Sequence, residues 1–214
     1  MPADSKSDVA AGRPRHCDRE AREDHLLNTA AALFIKNGYS GTSLDLIARE
    51  ARVAVRTIYI KFGGKAGLLS ALITRRRTRY TAHLGDLASD TRPLLMVMTD
   101  YGMRFLALVS APESIALQRM VIIESHCNPE LGHTAYRSGI VQTYALLSRF
   151  FERPDIRAQL RDNVDLRQVP ALLISCVIGD PLHHVLFGSE QLTRSACEMA
   201  LAGRLELFLR GVLR

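Results

Sequence analysis

Four cationic side chains surround a short apolar segment in the first third of the chain: Arg52, Arg56, Lys61 and Lys65. Within this segment an apolar stripe repeats at helical spacing and consists of Val55, Ile58, Tyr59 and Phe62. The stripe can anchor a helix to a core and leave the opposite side of that helix in solvent. Guanidinium groups pair with guanine edges and phosphates, and ammonium groups pair with phosphates, so this pattern indicates binding of a polyanion.

The distribution of charge along the chain supports this interpretation. The net charge is +6 over 214 residues. Residues 1–80 contain 15 Lys and Arg against 8 Asp and Glu, whereas residues 81–214 contain 13 against 14. A basic N-terminal part on a neutral remainder is typical of a nucleic-acid-binding unit joined to a second unit. A solvated basic face explains the charge equally well, so sequence motifs are needed to distinguish it from a nucleic-acid-binding unit.

Composition and motifs exclude several classes of protein. Apolar residues make up 47% of the chain and charged residues 23%, as in a globular protein with one large or two small cores. No run of about 18 uncharged apolar residues occurs, so no membrane span is expected. The four cysteines lack C-x-x-C spacing, which favours free thiols and a cytoplasmic location. Motifs of hydrolases, zinc proteases and nucleotide-binding enzymes are absent, so neither an enzyme nor a cofactor is expected.

Two clusters of histidine raise the alternative of a metal sensor. One contains His126, Cys127 and His133, and the other contains His183 and His184. Adjacent residues on a helix point about 100° apart, so neither cluster chelates one ion well without a turn. We therefore predict no metal site.

The periodicity predicts an all-α protein with a helix-turn-helix near its N-terminus. The first helix runs from Arg19 to a left-handed cap at Gly38. The second opens at Thr42, where "TSLD" has the form of a capping box, and a third follows at 54–62 after a short turn. In this motif the later helix enters the major groove. A kink is expected near Pro181, and further helices are predicted at 66–87, 93–109, 112–127, 129–151, 166–187 and 193–213.

Residues 19–72 resemble the DNA-binding domain of TetR-type (TetR/AcrR) transcriptional regulators. The resemblance lies in "AALFIKNGYSGTSLDLIAREARV" and "TIYIKFGGKAGLLSAL", which contain the family's Gly-Tyr helix end, Thr-Ser cap, Ile-Ala pair, Tyr-x-x-Phe recognition helix and fourth-helix lysine. The segment "ALQRMVIIESHCNPELGHTAYRSG" looks like the C-terminal domain of AefR-like regulators. The resemblance implies an N-terminal three-helix DNA-binding domain and a C-terminal helical domain for ligand binding and dimerisation.

The resemblance also implies roles for individual residues of the DNA-binding domain. Those implied to touch phosphates are Thr42, Ser43, Tyr59, Lys61 and Lys65. Those implied to read base edges are Val55, Arg56 and Thr57. The chain departs from the family pattern at three places. Arg52 replaces the usual turn glycine, which is expected to add either a little strain or one more phosphate contact. Gly63 and Gly64 replace the usual linker, so the fourth helix is expected to start more loosely, and Gly67 is expected to weaken that helix by up to ~1 kcal/mol relative to alanine.

In the C-terminal domain the resemblance implies a ligand cavity among the middle helices. The candidate lining residues are Met103, Phe105, Leu106, Met120, Ile123, Tyr136, Tyr144 and Phe151. Glu124 and His126 are the polar groups that could orient a ligand. Each apolar candidate could equally belong to a plain core, and the polar pair could simply end a helix. The last two long helices are implied to form the dimer interface as a four-helix bundle.

We therefore expect a disordered basic arm at 1–17, a helix-turn-helix domain at 18–64 and a ligand-binding and dimerisation domain at 65–214. The expected function is a homodimeric repressor that binds a palindromic DNA operator and is released by a small, largely apolar molecule. The alternative is a helical small-molecule-binding protein that has lost operator binding. Four residues argue against that alternative, because they match the family's phosphate contacts: Thr42, Tyr59, Lys61 and Lys65.

Overall fold

The computed structural model describes residues 16–82, 87, 89–188 and 194–214. These residues form an all-α protein, as predicted, and the only strand-like pairing among them is an isolated antiparallel bridge between Leu160 and Leu213. The predicted basic arm lies outside the described residues except for 16 and 17, which already belong to the first helix. No single described helix is long and apolar enough to cross a membrane, and the two that would pass together are bent by 64°.

Three N-terminal helices form what we call the head: α1 (His16–Asn37), α2 (Leu44–Glu50) and α3 (Val55–Phe62). Gly38 follows α1 with φ 77°, in agreement with the predicted left-handed cap. The predicted cap of α2 is wrong by one residue. Ser43 rather than Thr42 is the N-cap, and its hydroxyl oxygen accepts a hydrogen bond from the Leu46 N–H at 3.1 Å.

The remaining helices form what we call the body. They are α4 (Lys65–Ala82), α5 (Leu94–Ser110), α6 (Pro112–Ser125), α7 (Pro129–Tyr136), α8 (Gln142–Phe151), α9 (Pro154–Arg157), α10 (Val169–Leu186) and α11 (Arg194–Val212). A π-helical turn, Arg137–Val141, joins α7 to α8, so the helix predicted at 129–151 contains a wider turn. Gly179, with φ 43° and ψ −152°, breaks α10 two residues before the kink expected at Pro181.

The corner between α3 and α4 requires a glycine at position 67. A Cβ at Gly67 would lie 1.5 Å from the carbonyl oxygen of Phe62, which is the last residue of α3. The expectation that Gly67 only weakens α4 is therefore wrong, because an alanine would overlap the backbone of the preceding helix. Gly67 instead permits the close approach that sets the direction of α3 relative to α4.

Two hydrophobic cores organise the described residues. The first contains residues of all three head helices and of α4, and it also includes Leu117 and Met120 of α6 and Leu131 of α7. The second lies mainly among α5, α8, α10 and α11, where Phe151 is fully buried. Because α6 and α7 contribute to the first core, the head packs directly on the body and is not held by α4 alone.

Candidate DNA-binding interface and ligand cavity

Helix α3 has one side anchored in the first core and one side in solvent. Ile58 is fully buried, whereas Tyr59 is 56% exposed and Arg56 is also exposed. Val55 and Thr57 are half-buried at the start of the helix. Arg56 makes no hydrogen bond or ion pair with another residue in the described ranges. Its guanidinium group is therefore available to a ligand.

The two residues before α2 lie in different environments. Thr42 is fully buried, and its hydroxyl donates to the Gly38 carbonyl at 2.7 Å while lying 3.2 Å from the Leu33 carbonyl. The predicted phosphate contact of Thr42 is therefore wrong, since this hydroxyl closes the turn between α1 and α2. Ser43 is exposed, and its oxygen accepts from the Leu46 N–H. The hydroxyl proton of Ser43 remains available for a phosphate oxygen.

A basic groove of about 670 Å³ lies between α1, the turn after α2, and α3. Its lining includes four cationic residues: Arg19, Arg22, Arg52 and Lys61. Lys61 Nζ lies 2.9 Å from Glu23 Oε2 in an ion pair near the surface, which is weak enough to exchange its carboxylate for a phosphate. Arg19 and Arg22 are not among the sequence-predicted contacts. The excess of positive charge in residues 1–80 is the signal that could have found them.

Arg52 is the one residue other than glycine with a positive φ in the described ranges, at 55°. This left-handed conformation costs a residue with a Cβ roughly 1–2 kcal/mol, and the Arg52 side chain is exposed in the basic groove. A strained conformation persists where the surroundings require it, often at a functional site. We therefore treat Arg52 as a candidate phosphate contact, which is one of the two consequences expected from the sequence.

Two substitutions of Arg52 separate its charge from its strain. Arg52→Ala and Arg52→Gly are both expected to lower the salt slope of DNA binding by about 0.9, because each removes one phosphate contact. Arg52→Gly is expected to be about 0.5–1 kcal/mol more stable than Arg52→Ala, since glycine relieves the strain but adds entropy to the unfolded chain. Salt-dependent anisotropy and urea unfolding measure the two effects. An unchanged slope in both variants would remove Arg52 from the interface.

Lys65, half-buried at the start of α4, holds the turn between α1 and α2. Its ammonium group donates to the carbonyls of Tyr39 at 2.8 Å and Thr42 at 3.0 Å, and it lies 4.4 Å from the centre of the Tyr39 ring. Burial lowers the pKa of Lys65, and the nearby Glu124 carboxylate opposes this effect. The predicted role of Lys65 as a phosphate contact is corrected accordingly, because two of its three N–H groups already donate to carbonyls of the head.

A Lys65→Met variant is expected to lose about 1–2 kcal/mol of unfolding free energy, because it leaves two carbonyls without their charged donor. The salt slope of DNA binding is expected to stay unchanged. Urea unfolding and a salt titration of DNA binding test this, with Lys36→Met as the control because Lys36 is an exposed lysine of α1. A salt slope lowered by about one at unchanged stability would restore the phosphate contact.

Glu124, near the end of α6, binds the head instead of a body cavity. Its carboxylate accepts hydrogen bonds from the Tyr39 N–H at 2.5 Å, the Ser40 N–H at 2.7 Å and the Ser40 hydroxyl at 2.6 Å. Partial burial raises the pKa of Glu124, but these hydrogen bonds and the charge of Lys65 outweigh it and hold the pKa below its ordinary value. A Cβ at Gly38 would lie 2.5 Å from Glu124 Oε1, so the contact also depends on that glycine.

The other predicted ligand-binding residues do not surround one cavity in the described structure. Phe105, Leu106 and Phe151 are buried in the second core, and Met103 and Tyr144 pack against it. Met120 belongs to the first core. Three further candidates lie at the surface: Ile123, Tyr136 and His126. Sequence spacing alone identifies apolar helix faces, but it does not show which of them meet.

A cavity of about 500 Å³, which is open to solvent on one side, lies instead between α1, α4, α5 and α6. Its lining includes four arginines: Arg75, Arg76, Arg79 and Arg104. The sequence "RRRTR" at 75–79 predicts a solvated helix face, but two of its arginines are largely buried. The side chain of Arg75 is only 15% exposed and that of Arg76 22%. Within the described ranges no three His, Cys, Asp or Glu side chains group as metal ligands.

The order of α1–α3 and the exposed side of α3 define a helix-turn-helix DNA-binding protein. Residues 26–72 match the family model of the bacterial regulatory proteins of the tetR family, and residues 96–211 match the C-terminal domain of AefR-like transcriptional repressors. The second match alone spans more than half of the chain. The chain therefore belongs to the TetR family and is a DNA-binding transcriptional regulator, which confirms both resemblances inferred from the sequence.

Individual relatives agree with this assignment. The HTH-type transcriptional repressor ComR of Escherichia coli (strain K12) is 25% identical over 173 residues, which are 78% of this chain and 79% of ComR. The flavonoid-responsive regulator FrrA superimposes with a TM-score of 0.72 at 26% identity, over 91% of this chain and 98% of FrrA. NalD, the secondary repressor of the MexAB-OprM multidrug efflux pump in Pseudomonas aeruginosa, shares the fold with a TM-score of 0.64 at 21% identity, over 92% and 99% of the chains.

Proposed function

We propose that this protein is a homodimeric repressor that binds a palindromic operator and leaves it when a small molecule binds the body. The observation that carries the proposal is the exposed side of α3, where Arg56 and Tyr59 face solvent while Ile58 anchors the helix. Arg56 can donate two hydrogen bonds to a guanine edge, and Tyr59, Ser43 and the basic groove can hold phosphates.

Relatives support the regulatory part of the proposal. ComR and NalD are repressors, and FrrA responds to flavonoids. These properties favour repression and ligand response in the present protein. A regulator of bacterial transcription binds DNA, which lies in the cytoplasm of a bacterium. We therefore place the protein in the cytoplasm and assign it no catalytic step.

Helix α4 connects the two cores and supplies a route from ligand to DNA. Leu68, Leu69 and Leu72 belong to the first core, whereas Tyr80 packs against the second and donates to the Tyr101 carbonyl at 2.5 Å. A shift of α4 therefore moves the head relative to the body. In a dimer on half-sites one helical turn apart, about 34–36 Å, a small change in head spacing prevents both heads from docking together.

The outer surface of α10 and α11 is our candidate for the dimer interface. Leu172 of α10 is 50% exposed, and Met199 and Leu207 of α11 are 70% and 72% exposed. Gly203 lies between the latter two on α11, and a Cβ there would meet nothing within 4 Å. A small residue flanked by exposed apolar side chains allows a second helix to approach closely, as in a four-helix bundle.

A Leu207→Arg variant is expected to shift the protein from dimer to monomer at micromolar concentration, because it places a charge in the apolar interface. Light scattering after size-exclusion chromatography measures the mass directly. Leu95→Arg is the control, since Leu95 is a 48% exposed leucine of α5 outside the proposed interface. A Leu207→Arg protein that remains dimeric would place the interface elsewhere.

The proposed function is tested by selecting duplexes from a random DNA pool with the purified protein at a stated salt concentration. An enriched palindrome is the expected result. Salt-sensitive binding without an enriched sequence would overturn the operator assignment and leave the alternative, a helical small-molecule-binding protein.

A further inference from the structure

The cavity of about 500 Å³ joins the head to the body. Asn28 of α1 contributes to its lining together with residues of α4, α5 and α6. Its apolar wall is formed by Leu72, Tyr80, Ala107 and Leu108. The volume falls within the range of small-molecule sites, roughly 300–1,000 Å³. A molecule in this cavity would touch both the DNA-binding head and helix α4.

Each of the four arginines of the cavity is paired with a carboxylate, and Arg104 pairs with Asp100 of its own helix at 2.9 Å. Asp24 of α1 contacts both Arg75 and Arg79, and Glu113 of α6 contacts Arg76. Asp24 is 40% exposed and Glu113 51% exposed, whereas Arg75 and Arg76 are 15% and 22% exposed. The guanidinium groups of Arg75 and Arg76 are thus the inner partners of their pairs, whereas Arg79 at 59% and Arg104 at 41% are more exposed than their carboxylates.

Arg75 has hydrogen-bonding capacity that the described residues do not use. Its Nη1 atom is buried and has no hydrogen-bond partner there, although its Nη2 atom lies against Asp24. Burial and the neighbouring Arg79 guanidinium lower the pKa of Arg75. An unmade hydrogen bond at a buried charged donor is costly, so Arg75 is stabilised when its side chain turns from Asp24 to another anionic acceptor in the cavity.

We infer that this cavity is the effector site and that it takes a small amphipathic carboxylate. The carboxylate binds Arg75 and Arg79, its apolar part packs against Leu72 and Leu108, and Arg104 lies in the opposite wall on α5. This replaces the largely apolar effector that the sequence suggested. The regulatory meaning of the site rests on the proposed function, but the binding itself does not.

Competition with Asp24 couples this site to DNA binding. Asp24 ties α1 of the head to Arg75 and Arg79 of α4. A bound carboxylate takes over these guanidinium groups and releases Asp24, so α1 loses its ionic contact with α4. Because coupling is reciprocal, DNA that holds α1 in place against α4 weakens carboxylate binding by the same factor.

The test is isothermal titration calorimetry on the full-length protein without DNA. The probes are decanoate and naphthoate, with decanol and naphthol as uncharged counterparts. The expected result is one carboxylate bound per chain, at least about tenfold more tightly than its alcohol. Equal binding of acid and alcohol, or no binding of either carboxylate, would overturn the inference.

Variants identify the site. Arg79→Met and Arg104→Met are expected to weaken carboxylate binding, and Asp24→Asn to strengthen it, because the competing anion is gone. Arg149→Met is the matched control, since Arg149 is an exposed arginine of α8. Wild-type affinity in both Arg79→Met and Arg104→Met, or weaker binding in Asp24→Asn, would overturn the site. These outcomes are independent of the selection for an operator, so failure of either proposal is recognised separately.

Discussion

An Arg56→Ala variant is expected to bind the selected operator about 5- to 150-fold more weakly, which corresponds to ~1–3 kcal/mol. The physical reason is the loss of a bidentate guanidinium contact with a base edge, from a side chain that is exposed on α3 and engaged by no described residue. The preference for one base pair should relax, because the variant lacks the contact that distinguishes this base pair from the others. Competition with operators mutated at single positions measures both effects.

The control for this experiment is Arg149→Ala, which removes the same side chain from the body. It should leave both affinity and base preference at the wild-type level. If Arg56→Ala behaved like this control, α3 would not be the helix that reads the operator. A uniform loss of affinity across all operators would instead make Arg56 a phosphate contact.

A Glu124→Ala variant is expected to lose about 2–3 kcal/mol of unfolding free energy. It deletes a carboxylate that accepts three hydrogen bonds from Tyr39 and Ser40, and it leaves two backbone N–H groups of the head without their partner. Amide exchange at these two residues should become faster in the native protein, because this contact holds the turn before α2. Urea unfolding and hydrogen exchange measure the effect, with the exposed Glu152→Ala as control.

The effect of Glu124 should depend on pH in a defined direction. Its pKa in the folded protein lies below its ordinary value, so the contact stabilises the fold above the unfolded pKa of about 4.3. That stabilisation is lost as the pH falls through the lower, folded pKa. The difference between wild type and Glu124→Ala should thus be constant at neutral pH and shrink in acid. A difference that persists at acid pH would show that the charge is irrelevant.

The boundaries of most helices were predictable because they depend on neighbouring residues. Gly38 ends α1 with a positive φ, and the prolines at 112 and 129 begin α6 and α7. The same local rules failed at Thr42. A Thr-Ser pair offers two hydroxyls for one cap, and the carbonyl of Gly38 accepts a hydrogen bond from the first of them. Local capping rules contain no information about which hydroxyl the core encloses.

The roles of charged residues were harder to predict, because their partners are distant in the chain. Lys65 and Glu124 meet at the turn that contains Tyr39, although Glu124 comes 85 residues after that tyrosine. The arginines at 75–79 have the spacing of a solvated helix face, but α1 and α6 pack beside them and bring Asp24 and Glu113 into contact. Periodicity identifies the face of a helix and not the neighbour that covers it.

Short-range patterns therefore suffice to predict the family, the all-α class and the exposed side of α3. Each of these follows from periodicity, capping residues and motif order within about 55 residues, where hydrogen bonds and helix faces are local. Only the packing of the helices determines the remaining features: the burial of Thr42, the contacts of Lys65 and Glu124 with the head, and the arginine-lined cavity. These features depend on side chains that meet across long chain separations, and their free energy comes from burial and charge pairing that no local segment contains.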